Sequence, residues 1–478
     1  MPQIPFIGGA YLARSPNVSA DRCINLYPEM VETRTGKAVA ALYGTPGLRR
    51  WCVLPAGGCR GLYTASSGRA FAVAGSECYE LFAGGTFVAR GTLATSSVGT
   101  VSMRDNGVQL VVVDGTPTGG WVLTFATNAW VQITDPDFYG ADRVDFLAGW
   151  CVFNRPGTQQ LYISGLYDAT VFDALDFASA ESAPDPLVGL LVERQELWLA
   201  GTKSMEVWFV SGGVDFPFAP IQGTKTSYGL AAVHTLRAMD SAVYWLTTND
   251  DGAGMVVRTK GYQPERISTH AVECALQGYA RLDDAVAYTE QREGHAFYVL
   301  HFPTGNATWA YDAATGLWHE RAEIDAATGA LVRHRARYHT SAFGLHLVAG
   351  DQDGRIYSSE MDAYTNDGDT LVRDRIAPHT STPELQLLYH SLFQLDMETG
   401  VGLDAGAEPG TTPQVMLRWS DDGGHTWGSE HWVSAGAQGQ YRARALWRRL
   451  GRSRDRVYHV RITAPVNIAL LGARIEAH

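Results

Sequence analysis

Leu110-Val-Val-Val-Asp114…Trp121-Val-Leu-Thr-Phe125 holds two strand-length apolar runs around a turn rich in Gly, Asp and Thr. The same unit stands on either side. Upstream is Phe71-Ala-Val-Ala-Gly75…Tyr79-Glu-Leu-Phe82, and downstream is Cys151-Val-Phe-Asn154…Leu161-Tyr-Ile163. The series continues as Leu197-Trp-Leu-Ala-Gly201…Glu206-Val-Trp-Phe209, Val243-Tyr-Trp-Leu246…Met255-Val-Val257, Phe297-Tyr-Val-Leu300…Trp309-Ala-Tyr311 and Leu345-His-Leu-Val-Ala-Gly350…Ile356-Tyr357. A hairpin repeated about every 40 to 50 residues is the mark of a β-propeller, in which each blade buries its faces against its neighbours. Six to seven blades over residues 51–365 are expected. Tyr311-Asp312-Ala-Ala-Thr315-Gly316-Leu-Trp318 resembles a kelch blade turn, with polar residues making the turn and the Trp packing on the next blade.

Outside the series the pattern changes. Residues 1–50 carry Pro2, Pro5, Pro16, Pro28 and Pro46, which exclude a long helix and predict an extended arm that closes the ring or reaches a neighbouring subunit. Residues 366–384 read as a linker. From 385 to 478, Leu385–Tyr389, Ser391–Leu395, Gln414–Trp419, Val457–Thr463 and Ile468–Leu471 are strand-like without a blade period, predicting a small β-sandwich-like domain. Ala169–Ala180 is the one modest helix candidate. The whole is all-β.

Composition agrees with that class. Apolar residues make up 45% and charged residues 18% of 478, with 51 glycines, as a core-forming, turn-rich protein requires. A net charge of −12 opposes a grip on nucleic acid or anionic membranes. Cys23, Cys52, Cys59, Cys78, Cys151 and Cys274 have no metal-binding spacing and lie mostly in apolar runs, as reduced buried thiols do. No secretory signal is expected at the N-terminus, and no apolar run is long enough to span a membrane.

Two local features stand out. Ser420-Asp-Asp422-Gly-Gly424-His-Thr426-Trp427 matches the Asp-box pattern of sialidase propellers, where Ser420, Asp422, Gly424 and Trp427 have turn-making roles. It occurs once, outside the hairpin series. Arg442, Arg444, Arg448, Arg449, Arg452, Arg454 and Arg456 form a basic stretch suited to an acidic partner, because guanidinium forks pair with carboxylates. The opposing reading makes them the wet side of a hairpin whose buried side is Leu446, Trp447 and Leu450. His334, His339 and His346 do not read as metal ligands, since Arg333, Arg335 and Arg337 repel a cation and His334 falls on another face. No catalytic motif is evident, so no catalytic, cofactor or metal site is assigned.

Four stretches carry a family resemblance. They are Arg22-Cys-Ile-Asn-Leu-Tyr-Pro-Glu29, Gly261-Tyr-Gln-Pro-Glu-Arg-Ile-Ser-Thr-His270, Thr308-Trp-Ala-Tyr-Asp312…Thr315-Gly-Leu-Trp-His-Glu320, and Arg333-His-Arg-Ala336 running to Gly350-Asp-Gln-Asp-Gly354-Arg-Ile-Tyr357. Through them the chain resembles the packaged-DNA stabilisation proteins of short-tailed phages, also called tail hubs or tail accessory factors. The resemblance implies a non-enzymatic virion tail component, made and assembled in the host cytoplasm. It implies a ring, of six copies in the family, below the portal and its adaptor (the head-to-tail connector). Its other implied partners are a needle or plug protein and tailspikes, with DNA passing through the lumen without specific binding. Two alternatives stand beside it: a sialidase-like or lectin-like carbohydrate-active propeller, and an interaction propeller outside any virion.

Overall fold

The computed structural model describes residues 3–33, 38–180, 183–213, 216–249, 251–406 and 408–478. Seven four-stranded antiparallel blades follow one another. Blade 1 is Cys59–Thr64, Ala70–Ala74, Glu77–Phe82 and Thr86–Thr92; blade 2 is Ser102–Asp105, Gln109–Val113, Gly120–Thr124 and Ala129–Gln132. Blade 3 is Val144–Leu147, Trp150–Asn154, Gln160–Gly165 and Asp168–Ser179; blade 4 is Leu187–Glu193, Glu196–Gly201, Met205–Val210 and Phe218–Pro220. Blade 5 is Arg237–Met239, Ala242–Thr248, Gly254–Lys260 and Gln263–Arg266; blade 6 is Val286–Arg292, His295–Phe302, Ala307–Asp312 and Leu317–Glu320. Blade 7 combines Tyr338–Ala342, Leu345–Ala349 and Arg355–Glu360 with Gly47–Val53 from the start of the chain. The first strands of successive blades touch, and Tyr338–Ala342 meets Cys59–Thr64, so the ring is closed.

Strand alternation explains why blades stack. Successive side chains point to opposite faces. In Gln109–Val113, Leu110 and Val112 join Phe71, Val73 and Trp121 between blades 1 and 2. Val111 and Val113 face the other way, onto Phe153 and Tyr162 of blade 3. A middle strand is therefore apolar on both faces and reads as a continuous hydrophobic run. The closing strand lies tight against the chain beyond blade 7: a Cβ at Gly47 would sit 2.4 Å from the Ala363 carbonyl oxygen.

Two further sheets face each other beside blade 6. One runs Leu26–Met30, Ala40–Gly44, Ala469–Ala477, Leu388–Met397, Ala445–Arg448. The other runs Ala20–Ile24, Arg373–Ile376, Asp455–Ile462, Gln414–Ser420, His431–Ser434 and continues into blade 6 through a parallel bridge between Ile24 and Glu320. Phe393, Trp447 and Ile475 meet Leu417, Tyr458 and Val460 between them, and the same core reaches Trp318, Tyr298 and Tyr244 of blades 5 and 6. Propeller and sandwich share one hydrophobic interior.

Three expectations are corrected. The first fifty residues do close the ring, through Gly47–Val53 in blade 7, but not as an extended arm, since their other described strands complete both sandwich sheets; residues 1–2 and 34–37 lie outside the described residues. Residues 366–384 are not a linker, since Arg373–Ile376 is a fully buried inner strand. Its charges mimic a surface segment, but Asp374 and Arg375 are each paired, with Arg461 and Asp21. Ala169–Ala180 is not helical. Thr170, Val171 and Phe172 suit a strand, and Asp168–Ser179 forms the outer edge of blade 3. Among the described residues the α-helix is His270–Gln277, capped by the Thr269 side chain, which accepts from the Val272 amide.

Candidate assembly surface

The basic stretch follows the end of the first sandwich sheet. Ala445–Arg448 is its last strand, paired to Leu388–Met397, and Arg452–Ser453 pairs with Leu388 and Tyr389. Trp447 and Leu450 are buried there and Leu446 is half-buried. Arg442, Arg444, Arg448, Arg449, Arg452 and Arg454 are exposed. None has a carboxylate partner among the described residues; Arg454 donates to the Leu385 carbonyl at 2.9 Å. Leu385, Leu387, Tyr389 and Tyr441 are exposed beside them, Tyr441 at 74%. Unpaired arginines among exposed aromatic and aliphatic side chains have the composition of a protein interface. Arg456 does not belong to this surface. It is 1% exposed, pairs with Asp421 at 2.6 Å and stacks on Trp419 and Tyr458. Its alternation within Asp455–Ile462 turns it inward.

The Asp box caps the hairpin that joins Gln414–Ser420 to His431–Ser434, in the sandwich and not in the propeller. Asp422 accepts from the Thr426 amide at 2.9 Å and the Thr426 hydroxyl at 2.6 Å, and the Ser420 hydroxyl donates to it at 2.6 Å. These bonds hold its exposed carboxyl well below the usual carboxylate range. The Gly424 amide donates to Ser420 Oγ at 2.8 Å, with φ at +95°. Trp427 packs on Ala20, Ile376 and Val457. The Ser420, Asp422 and Thr426 side chains are occupied within their own turn, while Asp421 pairs with Arg456.

His339 and His346 meet across neighbouring strands of blade 7 at 3.0 Å, and with Glu290 they form a compact donor cluster. His334 is not part of it. Glu290 is claimed by Arg321 at 2.6 Å and Arg292 at 3.0 Å. Burial raises its carboxyl, but the two guanidiniums override burial and hold it well below the usual range. A metal ion there would face two fixed cations. The repelling arginines are these two. Arg333 and Arg337 instead share Asp351, and Arg335 pairs with Glu323.

Two family models match consecutive parts of the chain: "Bacteriophage P22 Gp10, beta-propeller" over residues 2–364 and "Bacteriophage P22 Gp10, beta-sandwich" over residues 376–478. The chain belongs to the P22 Gp10 family. That is a family of phage structural proteins, the packaged-DNA stabilisation proteins. No curated protein matches the sequence. Among solved structures, the extracellular domain of a one-component system of B. thetaiotaomicron is 10% identical at a TM-score of 0.45, covering 81% of this chain and 48% of that one. This chain thus spans about half the length of that structure. The N-terminal domain of Nup159 is 10% identical at a TM-score of 0.42, covering 71% and 99%. Virginiamycin B lyase of Staphylococcus aureus is 11% identical at a TM-score of 0.43, covering 63% and 94%.

Three of the four stretches that carried the resemblance meet where propeller joins sandwich. Arg22 forms a two-pronged pair with Glu320, at 2.8 and 2.6 Å. Trp318 Nε1 donates to the Ile267 carbonyl at 2.8 Å. Asn25, fully buried at φ +52°, donates from Nδ2 to the Ala322 and Val372 carbonyls, both at 2.7 Å, and accepts from the Ala322 amide at 3.0 Å. Sequence reading quoted Asn25 but gave it no role. Its signal was an Asn within an apolar run, a residue that tolerates the left-handed conformation. Among the described residues no helix is long and apolar enough to cross a membrane.

Proposed function

We propose that the chain is the tail hub of a short-tailed phage. Copies assemble as a ring below the portal–adaptor complex, extend and close the DNA exit channel, and act as a structural part without catalysis. Membership of the Gp10 family along both domains carries this reading. Its physical support is the continuous interior from blades 5 and 6 into the sandwich, which makes each copy a stiff wedge suited to closed, repeated packing. DNA passes between copies. The cavity on the propeller axis, about 470 Å³, has small-molecule size. A net charge of −12 suits a lumen that does not hold phosphate.

The exposed arginines from Arg442 to Arg454, with Tyr389 and Tyr441, are the proposed docking surface for an acidic neighbour, whether the next copy, the adaptor, the needle or a tailspike. Co-sedimentation with the portal–adaptor complex tests the assignment. The wild-type chain co-sediments; a chain that stays in the supernatant at every salt concentration refutes it. The carbohydrate reading drew on the Asp box and exposed aromatics; the box sits in the sandwich, with Ser420, Asp422 and Thr426 bonded to one another.

A further inference from the structure

The first strands of the seven blades enclose the axial cavity of about 470 Å³. The charges on its wall do not balance. Arg104 pairs with Asp145 at 2.7 Å, and Asp145 also accepts from the Val192 amide at 2.8 Å. Glu193 lies 3.9 Å from Arg194. Arg143 and Arg237 line the same wall, and neither has a carboxylate partner among the described residues. Arg143 is 7% exposed and its Nε has no acceptor. Arg237 spends Nε on the Ala287 carbonyl at 2.8 Å and Nη1 on the Leu236 carbonyl at 3.2 Å, leaving Nη2 without a protein acceptor among the described residues.

Elsewhere the fold pairs such groups: Arg321 with Glu290, Arg375 with Asp21, Arg456 with Asp421. Arg373 is also without an acid and packs against Gly44; Arg60, buried as well, donates instead to the Gly99, Gly75 and Ser96 carbonyls. Burial lowers the Arg143 guanidinium to about 9, and neighbouring Arg237 pushes it the same way, outweighing the opposite pull of Asp145, which is bound to Arg104. A buried cation without a counter-charge is costly unless something neutralises it.

We propose that the axial cavity is an anion site, holding one small oxyanion, phosphate or a carboxylate of similar size, between Arg143 and Arg237. The planar fork of each guanidinium presents paired donors to the oxygens of such a group. Calorimetric titration of the full chain with inorganic phosphate, and separately with acetate, at constant ionic strength tests this. One site per chain is expected for at least one of the two, and which one binds tells phosphate from carboxylate. Arg143→Met weakens that binding about tenfold or more. Lys260→Gln, exposed at the end of the third strand of blade 5 and not on the cavity wall, leaves it unchanged. If Arg143→Met does not fold, Arg237→Gln decides the question by the same loss. A wild-type chain that binds neither anion, or a folded Arg143 or Arg237 variant that binds as tightly as wild type, overturns the proposal.

Discussion

Replacing Asn25 by Ala is the sharpest test of how propeller and sandwich are joined. The substitution orphans three buried backbone groups, the carbonyls of Ala322 and Val372 and the amide of Ala322. Each orphaned group costs about 1–3 kcal/mol in a site closed to water. Alanine at φ +52° adds about 1 kcal/mol of backbone strain. The low end is therefore a loss of about 4 kcal/mol, a large share of the stability of an ordinary domain. Asn25→Gly removes the same hydrogen bonds without the strain and is expected to sit about 1 kcal/mol above the alanine variant. Urea unfolding followed by tryptophan fluorescence reads both, because Trp318 and Trp447 lie in the shared core. An alanine variant within about 1 kcal/mol of wild type would refute the reasoning. So would a glycine variant less stable than the alanine one.

The remaining expectations are briefer. Charge reversal of Arg448, Arg449 and Arg452 to Glu leaves the monomer folded by circular dichroism, because all three are exposed without carboxylate partners among the described residues, but lowers recovery with the portal–adaptor complex; undiminished recovery contradicts the docking role. Burial lowers His334 and His390 to about 4, with Arg456 adding to the effect at His390. The unfolded chain, with ordinary histidines near 6.5, then binds protons that the folded chain refuses, so stability falls as pH drops from about 6.5 toward 4. Urea midpoints at pH 7 and pH 5 check this, and His390→Gln is expected to show the smaller difference. Cys23, Cys52, Cys59, Cys78 and Cys151 are buried and Cys274 is half-buried, so a thiol reagent is expected to label about one site per native chain; rapid labelling of all six contradicts the packing.

The middle of every blade was legible because its two central strands are buried on both faces. Phe71–Gly75 and Tyr79–Phe82, for example, become the second and third strands of blade 1. The flanking strands were not. Ser102–Asp105 and Gln263–Arg266 are short and polar, since one lines a charged axis and the other forms an exposed rim. The closing strand Gly47–Val53 and the sandwich strands Ala20–Ile24 and Ala40–Gly44 pair with partners hundreds of positions away, and local pattern carries no trace of such register. Arg373–Ile376 misled for a different reason: its burial depends on Asp21, Arg461 and His459 arriving from distant segments. At the surface, the sequence marked the arginine stretch but not its facing. Only the strand placement separates buried Arg456 from exposed Arg454.

Electron microscopy of the protein mixed with its portal–adaptor complex tests the proposed role most directly. A closed ring of copies, coaxial with the portal and below the adaptor, is the predicted image. A protein that stays monomeric beside the complex, or decorates it as isolated copies, contradicts the account.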